Sequence, residues 1–373
     1  MRILSNPPPI GFSNRINIDG FGVIRVKIGL MSGRILSILG LISLPLLLGG
    51  QQSQITGPVS GYVFDTSARA LRPVLGIPGA SLFGSPVDFG FPVASVAVAP
   101  RQDAAFVTAA DGTLHLFRFQ ANAPADLNFN GLANAPERVV FSPSGTAAAL
   151  YRAGSVQIVS GLPDSAGIAA TLALPAAPDS LALSDDGTAL LVASGNTIEL
   201  YSGAADLGMV TSTAGPSLAA FAPSSHDAAI VDRAGAGIVL FRNLTGTVAP
   251  QPLAASDDTI RSASALAFSN DGQQLLLTTS GSQAVATFDL ATGLRGAISC
   301  MCAPATLARM GDVFRLNDLA QDAVWLLDAR PATAGVTFVP AVAGSDAPVG
   351  TRRPRRPEAP IHGVRPLDAS RAE

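Results

Sequence analysis

The sequence predicts an all-β protein, and three observations carry this prediction. A short phrase recurs along the chain: Phe141-Ser-Pro-Ser-Gly145 returns as Leu183-Ser-Asp-Asp-Gly187 and as Phe268-Ser-Asn-Asp-Gly272. Each copy is followed by a short apolar run, and only 14% of the chain is charged, against about 25% in typical soluble domains. With three weaker copies included, the equivalent positions lie 43, 42, 38, 47 and 39 residues apart, at Pro100, Pro143, Asp185, Pro223, Asn270 and Arg309. A period of about 40–45 residues with several short strands per unit is typical of a β-propeller.

Each repeat is interpreted as a four-stranded antiparallel blade with strands a to d. Strand a leads into the phrase, as at 138–141, and strand b is the small apolar run, as at 147–150. The glycine of the phrase is expected to take a positive φ in the a–b turn. Strand d is the most variable, for example 171–174. Strand c is rich in β-branched and aromatic residues and is assigned to 114–119, 156–159, 198–201, 238–241, 285–288 and 324–327.

The blade count rests on an additional segment near the start of the repeats. Residues 61–65 and 70–75 have the layout of 285–289 and 293–298, so they are assigned to strands c and d. Six a–b hairpins and seven c strands result. Residues 57–340 divided by the mean repeat length give about 6.8 units. The sequence therefore favours seven blades with an incomplete closing blade, closed by pairing of the two ends, with six blades as the alternative.

The repeats resemble those of the bacterial YVTN-type propellers, which are relatives of the WD40 and lactonase-like seven-bladed proteins. Tyr62-Val-Phe-Asp-Thr66 and Phe288-Asp-Leu-Ala-Thr292 match the strand that opens the YVTN-type unit, and the phrase ending at Gly145 matches its Pro-Asp-Gly turn. The resemblance covers residues 60–340. It implies the propeller fold and leaves the activity open, because such repeats occur in binding proteins and in enzymes.

The two ends of the chain differ from the repeats. Arg34 precedes a fourteen-residue apolar run, so 31–50 is assigned as a signal peptide, with an uncleaved membrane anchor as the alternative. Residues 1–30 are interpreted as a non-native extension, with translation starting at Met31. The Pro/Arg-rich segment 341–373 is expected to be a disordered tail. The sequence thus predicts export to the periplasm or cell envelope.

Charge and residue usage limit the function classes. Between the two ends, residues 51–340 carry 13 basic and 22 acidic side chains, which argues against nucleic acid as a partner. The only lysine is Lys27, so the exported form has no lysine for Schiff-base chemistry. His115, His226 and His362 come from separate segments, and no cofactor or metal site is predicted. For Cys300 and Cys302 a disulfide, free thiols and a functional pair all stay open.

The residues indicate a non-catalytic, monomeric binding or interaction scaffold for a protein or a small polar ligand. The alternative is a lactonase-like or carbohydrate-acting enzyme with carboxylates and asparagines at the channel mouth. Loops d–a and b–c of a propeller form that mouth. The polar residues predicted there as a ligand site are Arg138, Arg152, Asp179, Asp232, Arg233 and Arg261.

Overall fold

The chain forms a ring of seven antiparallel sheets. The computed structural model describes residues 57–120, 123–279, 281–320, 322–330 and 332–341. Six sheets have four strands and one has three, which confirms the predicted all-β, seven-bladed propeller. A single helical turn, α1 (Asp258–Arg261), lies among the described strands.

The blades follow one another along the chain, and within each blade the strands follow in chain order. Blade 1 contains β1 (Val59–Asp65), β2 (Ala70–Ile77) and β3 (Ala80–Phe83); blade 2 contains β4 (Val93–Val98), β5 (Ala104–Ala109), β6 (Leu114–Gln120) and β7 (Ala123–Asp126). Blade 3 contains β8 (Arg138–Phe141), β9 (Ala147–Arg152), β10 (Ser155–Ser160) and β11 (Gly167–Ala173); blade 4 contains β12 (Ser180–Leu183), β13 (Ala189–Ser194), β14 (Thr197–Ser202) and β15 (Ala205–Ser212). Blade 5 contains β16 (Ser217–Phe221), β17 (Ala228–Asp232), β18 (Gly237–Arg242) and β19 (Ala249–Ala254); blade 6 contains β20 (Ala263–Phe268), β21 (Gln274–Thr279), β22 (Ala284–Asp289) and β23 (Arg295–Ser299). Blade 7 contains β24 (Ala308–Met310), β25 (Val313–Arg315), β26 (Val324–Asp328) and β27 (Gly335–Val339).

Burial explains the absence of clean polar and apolar alternation. The second strands of blades 2 and 5 are buried at every residue, whereas β15, the outermost strand of blade 4, is largely exposed. A sheet packed on both faces needs apolar side chains on both faces. The cores lie between neighbouring blades: one cluster joins β17 and β18 to β21 and β22, and another joins β5 and β6 to β9.

The recurring phrase builds the same a–b turn in several blades. Gly145, Gly187 and Gly272 have φ angles of 76°, 71° and 69°, which confirms the predicted left-handed conformation. The serine of the phrase also has a structural role. The hydroxyl oxygen of Ser142 accepts a hydrogen bond from the Ala147 N–H across the turn, and those of Ser184 and Ser269 accept equivalent bonds in their blades. We call the end of the ring that carries these turns the turn end, and the opposite end the loop end.

The weak copy of the phrase in blade 7 was aligned incorrectly. Met310 pairs directly with Val313, so the a–b turn is the two-residue segment Gly311-Asp312. Arg309 therefore lies within β24 and not in the turn, because the hairpin is tighter here than in the other blades.

Blade 1 also corrects the strand assignment. The predicted strand c at 61–65 is β1, the innermost described strand of its sheet, and it begins at the turn end, where the Tyr62 N–H donates to Gln102 Oε1 over 2.7 Å. It ends at the loop end, where the Thr66 N–H donates to the Leu319 carbonyl over 3.3 Å. Every other innermost strand runs in the reverse direction. Blade 1 thus consists of strands b, c and d, and its strand a is absent from the described residues.

The predicted closure of the ring, by pairing of the two ends of the chain, is not found within any sheet of the described residues. No described sheet combines strands from both ends of the chain. Blades 7 and 1 instead pack side by side, and a parallel bridge joins Asp65 to Leu319. At the turn end, blade 7 contacts blade 2 directly, because the Gly311 N–H donates a hydrogen bond to the Pro100 carbonyl of blade 2 over 2.8 Å.

Several predictions on the chain ends fall outside the described residues: the extension at 1–30, the signal peptide or anchor at 31–50, and all but the first residue of the tail at 341–373. Within the described ranges, no helix has the length and apolar character needed to cross a membrane. Cys300 and Cys302 form a disulfide and are both buried in the core between blades 6 and 7.

Candidate functional site

A central channel runs through the ring and encloses a cavity of about 590 Å³. Its wall is formed by the innermost strand of each sheet. These strands pair on one side only, so backbone groups of their free edges face the channel. Most lining side chains are apolar, and the polar side chains among them are Thr66, Gln102, Ser142, Arg309, Arg315 and Asp318, together with the Tyr62 ring.

At the turn end of the channel, hydrogen bonds join blades 3, 4, 5 and 7. Arg309 of blade 7 donates from Nη1 to the Pro143 carbonyl of blade 3 over 2.8 Å. Asp185 of blade 4 accepts from the Ser144 N–H of blade 3 and from the Ser224 N–H of blade 5, over 2.6 and 2.7 Å. Burial lowers the pKa of Arg309, and the charges of Asp185 and Asp312 oppose this effect. The guanidinium and the carboxylate thus connect blades 3, 4, 5 and 7.

The loop end of the cavity contains a second arginine. Arg315 is the last residue of β25, and its side chain is 20% exposed. Its one described side-chain partner is Asp318, at 3.0 Å from Nη2 to Oδ1, and that carboxylate is itself 62% exposed. Burial lowers the pKa of Arg315, and Asp318 offsets this only in part.

Blade 1 contributes an unusual wall because its strand a is absent from the described residues. The Tyr62 and Thr66 N–H groups point away from β2, since they donate to Gln102 and Leu319. Backbone direction alternates along a strand, so the Phe64 N–H points the same way. Phe64 lines the cavity, and its N–H has no hydrogen-bond acceptor among the described residues. The middle of β1 therefore presents a backbone donor to the channel.

The four predicted arginines lie at the loop end, but they contact local groups. Arg138 donates to the carbonyls of Pro178 and Asp179 in the next blade, at 3.2 and 3.1 Å. Arg152 donates to the Asn134 carbonyl. Arg233 donates to the carbonyls of Pro216 and Ala263, and Arg261 pairs with Asp258.

The two predicted aspartates stabilise turns at the same end. Asp179 accepts from the Gly195 N–H over 2.8 Å. Asp232 is 6% exposed and accepts from the backbone N–H groups of Ala214, Ala234, Gly235 and Ala236. None of the six predicted residues lines the central cavity, so the structure does not bring them together there. Their role in ligand binding stays a prediction.

Sequence reasoning missed the two arginines of the channel. The alignment of the repeats places Arg309 in a turn, and it gives Arg315 no role. The available signal was the position of both residues in blade 7, where the short hairpin β24–β25 brings strand b as well as strand a to the cavity. Only the register of this hairpin reveals that arrangement.

The chemistry of the cavity follows from its lining. Asp318 is the one carboxylate in its wall among the described residues. In the same part of the chain, no group of three or more histidine, cysteine, aspartate or glutamate side chains could hold a metal ion. The arrangement offers hydrogen-bond donors, a buried cation and apolar surface, which are features of a binding site.

Comparisons with known proteins support the fold. A functionally unknown protein from Desulfotomaculum acetoxidans is similar to this chain in structure, with a TM-score of 0.52 and 13% identity over 76% of this chain and 100% of the other. The β-propeller domain of Cps50 (Swd1) from Myceliophteria thermophila has 17% identity over 54% of this chain and 70% of its own, with a TM-score of 0.41. No family model matches the chain, and no curated protein does. The likeness to the first protein shows the fold alone.

Proposed function

We propose that the protein is a non-catalytic, exported binding scaffold of the cell envelope, and that its binding site is the central cavity. The observation that carries this proposal is the composition of the cavity wall, in which two arginines and one aspartate stand among apolar side chains and free backbone edges. A volume of about 590 Å³ suits a small organic ligand, since such sites usually measure about 300–1,000 Å³. The recurring phrase supports membership of the YVTN-type repeats as part of the same proposal.

The lactonase-like or carbohydrate-acting alternative needs several carboxylates at one position. Hydrolysis of glycosides uses a pair of carboxyl groups, and metal-assisted hydrolysis uses a set of ligands around one ion. Among the described residues, the cavity wall contains a single carboxylate, that of Asp318, and it pairs with Arg315. Nothing in the described part of the chain favours the enzymatic alternative.

A turnover assay tests the non-catalytic part of the proposal. The purified full chain is incubated with aliphatic lactones and aryl glycosides, with and without Ca²⁺ and Zn²⁺. The expected result is product formation at the rate of buffer alone. Turnover that is lost in the Asp318→Asn variant and kept in the Asp258→Asn variant contradicts the proposal, because Asp258 lies outside the cavity.

A reporter fusion tests export. Residues 31–50 are placed before a bacterial phosphatase that is active only after export. The expected result is phosphatase activity, and replacement of two leucines in the apolar run by aspartate removes it. Inactive fusion protein retained in the cytoplasm contradicts the proposed location.

A further inference from the structure

The incompletely satisfied arginine of the cavity indicates which ligands the site would take. A guanidinium has five N–H donors in a planar fork, and burying such donors without acceptors costs free energy. Arg315 has four-fifths of its side chain buried and one described partner, the Nη2 contact with Asp318. That aspartate is mostly exposed, so it neutralises the guanidinium from the solvent side and leaves donors for a ligand.

The charge of the wall points in the same direction. Its charged side chains are Arg309, Arg315 and Asp318, so the wall carries one net positive charge among the described residues. Arg309 is engaged with the Pro143 carbonyl at the turn end. The cation at the loop end of the cavity is therefore Arg315, which contacts Asp318.

A second donor faces the channel from blade 1. The Phe64 N–H points away from β2, and Phe64 itself lines the cavity. The cavity wall thus presents two kinds of donor to oxygen acceptors, a guanidinium and a backbone N–H. Carboxylates bind to arginine in this way, through two oxygens that match the fork.

We propose that the central cavity binds a small organic monocarboxylate, whose carboxylate contacts Arg315 and whose apolar body lies along the inner strands. This inference rests on the proposed function and adds the chemical class of the ligand. A neutral analogue of the same shape should bind more weakly, because it leaves the guanidinium without its anion.

Calorimetry of the full chain with a matched pair of probes tests this proposal. The probes are 4-phenylbutyrate and its uncharged amide, 4-phenylbutyramide. We expect the carboxylate to bind at least about ten times more tightly than the amide, since a hydrogen bond to a charged group commonly changes affinity by this factor. Arg315→Gln should remove that preference, whereas Arg242→Gln, which changes an arginine of β18 outside the cavity, should keep it.

A second variant keeps the test valid if Arg315→Gln fails to fold. Asp318→Asn removes the competing carboxylate from an exposed side chain, so it should increase carboxylate affinity several-fold and leave amide affinity unchanged. Equal binding of both probes, unaffected by either variant, overturns the carboxylate inference and leaves the binding function standing. Absence of binding by both probes also overturns it. Catalytic conversion of a probe would overturn the proposed function instead.

Discussion

Asp185 shows how one side chain can stabilise several blades. Its two carboxylate oxygens accept hydrogen bonds from backbone N–H groups in the turns before and after its own. Its negative charge also raises the pKa of Arg309, against the lowering effect of burial. The sequence placed this residue in the recurring turn. It could not show contacts between blades, because they join residues about forty positions apart that meet only in the closed ring.

Replacing this residue should weaken the whole ring. We expect Asp185→Ala to lower the free energy of unfolding by about 2 kcal/mol, since hydrogen bonds to charged groups contribute about 1.5–3 kcal/mol each and these are partly exposed. Chemical denaturation followed by circular dichroism measures the change. Asp258→Ala, which removes an exposed ion pair, should change it by less than about 0.5 kcal/mol. Equal effects of the two variants would contradict the bridging role.

Asp328 gives an expected pH dependence. A hydrogen bond from Arg330 is the main cause that lowers the pKa of Asp328 to about 2, and bonds from the Arg330 N–H and Thr333 add to it. A carboxyl with a lowered folded-state pKa stabilises the protein above its unfolded pKa of 3.8, and this contribution is lost as the pH falls towards 2. Asp328→Asn should therefore reduce the loss of stability between pH 4 and pH 2, as measured by thermal unfolding. An unchanged pH profile would contradict this.

At the level of elements, the sequence predicted the ordinary hairpins well. The phrase combines a glycine with positive φ and a serine that bonds across the turn, and both are local requirements that residue types reveal. Strand c was recognised by its apolar run in all six blades with a complete hairpin. Blade 1 was misassigned because β1 resembles β22 in sequence, whereas its place in the sheet depends on contacts with Gln102 and Leu319.

The hairpin turns differ in how much space surrounds their glycines, as a comparison of the a–b turn at Gly145 with the c–d turn at Gly293 shows. Gly145 has a φ of 76°, and a Cβ there would lie 2.8 Å from Pro100 Cδ of the neighbouring blade. Gly293 has a φ of 69°, and a Cβ there would meet nothing within 4 Å. Both alanine variants incur the strain of a positive φ, about 1–2 kcal/mol. Gly145→Ala should cost at least about 1 kcal/mol more than Gly293→Ala in denaturation, because Pro100 must also shift. Equal costs would contradict the tight contact between blades.

Hydrogen exchange tests the unusual edge of β1. The Phe64 N–H points into the channel without an acceptor among the described residues, whereas the Val63 N–H points towards β2. We expect the Phe64 amide to exchange at least about ten times faster than that of Val63, as measured by residue-resolved exchange. Similar protection of both amides would show that another part of the chain covers this edge.

At the scale of the whole molecule, the ring explains why the lining of the central cavity could not be predicted from the sequence. The sequence predicted seven blades and placed polar residues at the loop end, and it proposed Arg138, Arg152, Arg233 and Arg261 as a ligand site. In the structure these side chains contact nearby carbonyl groups or a carboxylate. Arg315 reaches the cavity because the short hairpin β24–β25 brings strand b as well as strand a of blade 7 to the channel, and the sequence did not show that register.

The central claim is that the central cavity is the binding site and that Arg315 contacts the carboxylate of the ligand. A crystal structure of the full chain soaked with 4-phenylbutyrate tests this most directly. The account predicts ligand density inside the channel, with the carboxylate in contact with Arg315 and the phenyl ring along the inner strands. Density at Arg138, Arg152 or Arg233 with an empty channel, or a channel filled by an additional inner strand of the protein itself, would contradict it.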